Sequence, residues 1–260
     1  MIRTVSATRY VTPLRQGGSL PALVEADDES LYVLKFTGAG QGPKALIAEL
    51  IAGEIGRALG LRVPELVFII LDPGFGADEP DSEIRGLLAT SPGLNLGLRF
   101  LPHSFEYSPL LKPPPESGEA SAIVWFDAYV TNVDRSPRNI NMLSHRRQLW
   151  LIDHGACLYF HHDWRDYLER SRTPFAPIRT HALLRFARGL AEADAALKPK
   201  LTPDVINAIV SLIPNIWLKD GVPFDTPAET RLAYSQWLLS RLEASQLFVE
   251  EAQNARPQFV

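Results

Sequence analysis

The sequence carries a single cysteine, Cys157, in 260 residues. This excludes an intrachain disulfide framework and fits a reducing compartment, so a cytoplasmic location is expected. No apolar run reaches the roughly 20 residues that a membrane-spanning helix needs. The opening MIRTVSATRYVTPL lacks the apolar core of a signal peptide. Positive charge is not in excess either: the formal net charge is −4, which gives nucleic acid no general invitation. Neither a membrane nor a nucleic acid is therefore an expected partner. Internal repeats and long low-complexity segments are absent. What the chain does have is apolar content, 46% of residues, which is enough to bury a core and too much for disorder. At this length one large core and two lobes around a cleft are both open.

Residues 5–36 carry strand patterning. VSATRYV is followed by the glycine turn Arg15-Gln16-Gly17-Gly18-Ser19, LPALVEA by the acidic turn Asp27-Asp28-Glu29-Ser30, and LYVLKF closes the set. In that last run Leu31, Val33 and Lys35 alternate with Tyr32, Leu34 and Phe36. A lysine within an apolar strand is costly unless its ammonium reaches a partner or solvent. It is either an edge-strand lysine that blunts aggregation or a cleft lysine that meets phosphate oxygens. A turn through Gly17, Gly18 and Ser19 would let the backbone approach those phosphates, although most Gly-Gly turns only close hairpins. By its placement Ser19 is also a candidate for self-phosphorylation.

A glycine-rich loop at 38–43 precedes a helix over 44–59, with Leu46, Ile47, Leu50, Ile51, Ile55 and Leu59 on one face. Gly60 ends it and Pro64 prevents its return. Glu49 and Glu54 lie roughly 140° apart on such a helix, so only one can face a given partner. Glu49, directly before Leu50 and Ile51, is assigned to Lys35, with Glu54 as the alternative; solvation of both is the ordinary condition. Strands are expected at 65–71 and 94–101, with an acidic loop at 75–82. Arg99, Phe100 and Leu101 then form a link whose backbone edge could bind adenine. Pro102 and Pro113-Pro114-Pro115 break regular structure. The second half is helical, at 119–133, 181–195, 203–213 and 227–250. The first of these aligns Ile123, Phe126, Val130 and Val133. Thr202-Pro203 and Thr226-Pro227 each offer a cap with proline at the first helical position, and Thr226 to Glu229 fits a capping box.

The densest chemistry lies in residues 130–155, VTNVDRSPRNINMLSHRRQLWLIDHG. Asp134 is followed five residues later by Asn139. Two short apolar runs flank a polar turn at 144–148, and Asp153-His154-Gly155 closes the stretch. If the runs pair as a hairpin, Asn139 and Asp153 return to the same end. Phosphoryl transfer needs that set, with one carboxylate to orient the attacking group and two oxygen ligands to hold Mg²⁺ against nucleotide phosphates. A solvated turn beside an ordinary hairpin is the plainer alternative. Beyond it, His161-His162-Asp163-Trp164 could suggest a metal, but adjacent side chains on an extended segment point apart. A substrate-facing or plain surface loop is expected there. Cys157 has no identifiable paired base, so it reads as a packed cysteine rather than a nucleophile.

Taken together, the chain resembles the HipA-like kinases, a bacterial branch of the protein-kinase-like fold. The resemblance is carried by YVLK ending at Lys35, AELIAGEIGRALGLRVPE at 48–65, VTNVDRSPRN at 130–139 and LIDHG at 151–155. It covers most of the chain and is looser in the last helices. It implies an α+β, two-lobed protein-kinase-like fold. A small, mainly β N-lobe with one helix would span 1–101, and a larger helical C-lobe 102–260. It further implies an ATP- and Mg²⁺-dependent phosphotransferase acting on Ser or Thr of a protein. By that resemblance Lys35 contacts nucleotide phosphates and pairs with Glu49, Asp134 is the catalytic carboxylate, and Asn139 and Asp153 hold Mg²⁺. Gly17, Gly18, Ser19, Arg99, Phe100 and Leu101 would border the nucleotide. A kinase for a small molecule or lipid head group, or an inactive nucleotide-binding pseudokinase, are the alternatives. The partners implied are ATP, a protein substrate and an antitoxin-like or regulatory protein. His154 stands where ordinary protein kinases carry phenylalanine, and Ser136 and Pro137 where relatives often place histidine. The extra N-terminal subdomain of full-length HipA toxins is not expected.

Overall fold

The computed structural model describes residues 1–14, 20–219 and 221–256. Gly17, Gly18 and Ser19 lie outside the described residues. Strands β1 (Thr4–Pro13), β2 (Ala22–Ala26) and β3 (Leu31–Lys35) come first, then helix α1 (Pro43–Leu59), strand β4 (Leu66–Leu71), helix α2 (Ser82–Ala89) and strand β5 (Gly93–Arg99). The five strands close a barrel in the order β1-β2-β3-β5-β4. β1 runs parallel to β4, and the other neighbours are antiparallel. Side chains alternate across β3: Tyr32 and Leu34 are buried in the barrel, while Leu31, Val33 and Lys35 lie on the partly exposed face. Ile69 fills the barrel so closely that a Cβ on Gly97 would lie 2.3 Å from its Cδ1. The sequence expectation ended at an acidic loop, yet α2 follows it. The Asp81 side chain accepts from the N–H groups of Glu83 and Ile84 to start this helix, and Ile84 and Leu88 join the barrel core.

α1 ends as its sequence indicates, at Gly60 in the left-handed region with φ 89°. Its burial exceeds the single face expected. Every residue from Leu46 to Gly53 is buried, because α1 packs on β4 and β5 on one side and on a helix of the C-terminal part on another. Gly53 sets that depth, since a Cβ there would lie 2.6 Å from Leu66 Cδ1. α1 thereby joins the larger core of the molecule rather than the barrel's.

The C-terminal part is mostly helical. It contains β6 (Phe105–Glu106), α3 (Ser117–Tyr129), β7 (Met142–His145), β8 (Gln148–Leu151), α4 (Tyr167–Ser171), α5 (Leu190–Leu197), α6 (Pro203–Val210), α7 (Pro227–Glu243) and α8 (Ser245–Ala255). β7 and β8 form the anticipated hairpin, with a tighter turn: Arg146 and Arg147 both have positive φ, 52° and 62°. β6 adds an edge strand to it. The capping box at Thr226 and Glu229 is present.

α3 stops at Tyr129, and Val133 is exposed. The region 181–195 is not one helix: His181 Nδ1 accepts from Leu183 N–H and its Nε2 lies 2.8 Å from Asp127 on α3, which holds 181–183 out of helical form. The long helix over 227–250 breaks at Ala244, where Lys198 Nζ meets both the Glu243 carbonyl and Ser245 Oγ. Lastly, the His161 segment is not a surface loop. Phe160 stacks on Trp237 with ring centroids 4.2 Å apart, and the buried His161 places Nδ1 3.0 Å from the Tyr234 hydroxyl. Aromatic burial overrides the polarity of the local sequence. Among the described residues no helix is long and apolar enough to cross a membrane.

Candidate active site

Lys35 ends β3 on the face away from the barrel core. Its Nζ donates to Glu49 Oε2 at 2.6 Å and to Asp153 Oδ1 at 2.5 Å. Glu54, one face away on α1, instead meets Arg57 at 3.3 Å. Burial would push the Lys35 ammonium down, but the charges of Glu49 and Asp153 outweigh it and hold it above its ordinary range. Burial would likewise push the Glu49 carboxyl up; the Lys35 charge and the His154 hydrogen bond reverse this and hold it at about 2. The three groups form a charged triad that runs from the fully buried Glu49 to Asp153 at the cavity surface. Asp153 has a positive φ, 57°, a strained setting for a residue other than glycine.

The loop after α3 is built from below. Asp127, buried on α3, accepts from Arg135 Nε at 2.6 Å and from Asn132 Nδ2 at 2.8 Å, and it also meets His181. Burial pushes its carboxyl up, and the Arg135 charge with the His181 and Asn132 hydrogen bonds brings it to about 2. Asn132 Oδ1 in turn accepts from Asp134 N–H at 3.0 Å. Arg135 Nη1 donates to the Asn141 carbonyl and, at 3.4 Å, to that of Ile152. The buried guanidinium thus ties this loop to the end of the β7–β8 hairpin. Above it, Asp134 Oδ2 accepts from Asn139 Nδ2 at 2.7 Å, and Asn141 Nδ2 lies 3.4 Å away.

Lys35, Asn139, Asn141 and Asp153 border one cavity of about 570 Å³. Val33 and Leu98 of the barrel line it, as do Met142 and Ile152 of the hairpin region, so the slot has apolar walls and a polar end. Arg99, Phe100 and Leu101 border it too. Leu14 and Pro21, on either side of Gly17-Gly18 in the sequence and joined by Leu14 N–H to the Pro21 carbonyl at 2.7 Å, also reach it. Asp134 stands on the neighbouring loop and is not part of the lining. Cys157 is buried, and burial, reinforced by Asp127, pushes its thiol well up, away from nucleophile chemistry.

The donor chemistry suits a hard cation. Asp153 Oδ2 and Asn139 Oδ1 accept no hydrogen bond among the described residues, which leaves a carboxylate and an amide oxygen available. Among the described residues no group of three or more His, Cys, Asp or Glu is arranged to hold a metal, so any cation here would take its other ligands from substrate and water. Asp127, Asn132, Arg135, Asn141 and His181 were not anticipated as site residues. Asp127 had a legible signal, a carboxylate inside the apolar run Val124-Trp125-Phe126-Asp127-Ala128-Tyr129, as Lys35 is a charge inside an apolar strand.

A β-rich N-terminal part and a helical C-terminal part around this cleft make the two-lobed fold of the protein-kinase-like phosphotransferases. The family pattern described as HipA-like kinase matches residues 8–251, and the chain belongs to that family. It is a kinase by family and fold. The Helicobacter pylori proinflammatory kinase CtkA superposes with a TM-score of 0.59 at 11% identity, covering 100% of this chain and 99% of that one. A Golgi casein kinase solved with Mn and ADP bound superposes with a TM-score of 0.52 at 13% identity, covering 98% of this chain and 73% of that one. At these identities the likeness establishes the fold alone. No curated protein matches the sequence.

Proposed function

We propose that this kinase transfers the terminal phosphoryl group of ATP to a serine or threonine hydroxyl of a protein in the cytoplasm. The observation that carries the reading is the convergence of Lys35, Asn139 and Asp153 on one cavity with largely apolar walls, with Glu49 buried behind Lys35 and Asp134 tied to Asn139 beside it. Residues 1–101 act as the nucleotide lobe and 102–260 as the acceptor lobe. The base lies between the barrel and hairpin walls, next to the backbone of Arg99, Phe100 and Leu101. Lys35, held by Glu49, meets the phosphates. Asn139 and Asp153 would hold Mg²⁺, which supplies charge neutralisation on the phosphates when bound. Asp134 takes the acceptor's hydroxyl proton as its oxygen bonds to the terminal phosphorus and the bond to ADP breaks. Catalysis is then chiefly positioning and charge stabilisation. An antitoxin-like or regulatory protein would act on this cleft from outside.

The test is thermal unfolding with ATP and Mg²⁺, against ATP with EDTA, for the wild type, Asp153→Ala and Asp134→Ala. A ligand bound only by the native state at about 100 times its Kd adds roughly 2.7 kcal/mol. The expected result is a Mg²⁺-dependent shift that Asp153→Ala loses and Asp134→Ala keeps, with phosphate transfer lost in both. Wild-type turnover in Asp153→Ala would refute the assignment.

A further inference from the structure

A second cavity, of about 500 Å³, adjoins the first. Glu106 lines both, and the loop after Asp134 forms the partition: Asn139 and Asn141 border the first cavity, Pro137 and Ile140 the second. Neither Lys35, Glu49 nor Asp153 borders the second cavity. Its walls are mainly apolar, from Leu110, Ile140 and Ala182 among others. One wall carries an anomaly. Tyr107 is 6% exposed, and its hydroxyl has no hydrogen-bond partner among the described residues. A buried hydroxyl in that condition is a standing cost unless a ligand or water supplies the partner. Burial also pushes the phenol up, so it remains a donor.

The surroundings point to the ligand's chemistry. Arg185 borders the cavity, donates to the Pro109 carbonyl at 2.8 Å and has no ion-pair partner among the described residues. Arg138, next to Pro137, and Lys112, two residues beyond Leu110, likewise form no ion pair among the described residues. Glu106 is the one acid in the lining. Arg185 is the lining cation without an ion-pair partner among the described residues, and with Arg138 and Lys112 close to lining residues in the sequence it favours an acidic group on the partner. Leu110 beside it is 82% exposed, and β6, which runs past it, is an edge strand of its sheet. An edge strand and a pit for one side chain suit an extended polypeptide.

We propose that this cavity anchors the acceptor protein: an apolar acceptor side chain fills it, and an adjacent acidic residue meets Arg185 and the Tyr107 hydroxyl. The acceptor chain leaving the cavity then carries its hydroxyl past the edge of this loop to Asp134 and the terminal phosphate. The inference rests on the proposed transfer to Ser or Thr of a protein and specifies its substrate class.

The test is a positional-scanning peptide library around a fixed Ser or Thr, phosphorylated with ATP and Mg²⁺ by the full chain. Wild type is compared with Tyr107→Phe, Arg185→Glu and Leu110→Glu, and each protein's Mg²⁺–ATP thermal shift is measured alongside. Wild type should select Asp or Glu next to an apolar residue at a fixed offset. Arg185→Glu should reverse the charge preference, and Leu110→Glu should remove the apolar one. Tyr107→Phe should raise KM for the preferred peptide about tenfold without lowering Tm, because no intramolecular partner is lost. All four proteins should keep the thermal shift. Identical selection in wild type and variants, or phosphorylation with no acidic–apolar preference, would overturn the inference alone, whereas an intact shift with no peptide phosphorylated would count against transfer to a protein and overturn this inference with it. Competition of transfer by a mixed-sequence oligonucleotide but not by acidic peptides would also overturn the inference alone. Absence of the shift in wild type would refute the transfer reading and this inference with it.

Discussion

His154 and Glu49 hold one another twice. The His154 backbone N–H donates to Glu49 Oε2 at 2.9 Å, and the His154 ring Nδ1 lies 3.3 Å from Glu49 Oε1. Both residues are fully buried. The carboxylate that partners Lys35 therefore also anchors the residue after Asp153. β3, α1 and the end of the hairpin are fixed as one unit, and a shift of α1 would displace Lys35 and Asp153 together. The Phe126 ring closes the pocket edge-on to His154, with centroids 5.7 Å apart.

Acid should dismantle this unit in a defined window. Glu49 and Asp127 both sit at about 2, against ordinary values of 4.5 and 3.8. As pH falls, the unfolded chain protonates these groups first, while the folded chain keeps them ionised down to about pH 2. The unfolded state binds more protons in between, so this stability is complete above about pH 4.5 and is lost on the way down to about pH 2. The effect is on the order of 3 kcal/mol for each group. The urea midpoint should fall steeply from about pH 5 to pH 3, and Glu49→Gln should flatten the slope. An unchanged slope in that variant would contradict the linkage.

Asp127 is expected to act on catalysis without touching substrate. Asp127→Asn keeps the shape but leaves the buried Arg135 guanidinium without its counter-charge. Removing one partner of a buried pair costs about 3–5 kcal/mol. Because Arg135 carries the link from the Asp134 loop to the Asn141 and Ile152 carbonyls, kcat should drop while the Mg²⁺–ATP thermal shift persists. Urea unfolding and steady-state phosphate transfer check the two halves. A variant as stable and active as wild type would show the network to be dispensable.

The residues that the sequence exposed are those whose chemistry conflicts with their neighbourhood. A lysine in an apolar strand and a glutamate before Leu50 and Ile51 must find partners, and these two find each other. Helix boundaries marked by local chemistry, Gly60 and the Thr226 capping box, were equally legible. The illegible features are set at long range. β6 is two residues long and exists because β7 is beside it. Lys198 breaks the last long helix from across the fold. His161 is buried because Phe160 is drawn onto Trp237. Gly17, Gly18 and Ser19 lie outside the described residues and remain expectations.

Arg241 is expected to be a keystone of the C-terminal part. It is 1% exposed and donates to the carbonyls of Ala128, Tyr129, Ser171 and Thr173. The first two carbonyls close the end of α3, the helix that leads to Asp134. Its guanidinium lies over the Trp237 and Phe248 rings. Arg241→Met keeps the apolar stem but leaves four carbonyls without this donor, at about 1–3 kcal/mol for each one left buried and unpaired. Chemical denaturation should show a loss of at least about 3 kcal/mol, and Arg241→Lys should recover only part of it. A loss below about 1 kcal/mol would mean that water replaces the guanidinium.

Cys157 gives an independent reading of both burial and ligand binding. It is the only thiol in the chain, so intact mass reports its alkylation without ambiguity. It is 1% exposed, and burial pushes the thiol well up, while only the thiolate reacts. Iodoacetamide should leave the folded protein unmodified over a time in which the urea-unfolded chain is fully labelled. Slow labelling of the folded protein would then follow its opening. A ligand bound only by the native state at about 100 times its Kd should slow that labelling roughly a hundredfold. Mg²⁺ with ATP is expected to protect in this way, and ATP with EDTA to protect far less. Labelling of the folded chain at the unfolded rate would refute the burial of Cys157, whose backbone N–H donates to the carbonyl of His154, the residue after Asp153. Protection by neither nucleotide mixture would count against a nucleotide site in the cleft.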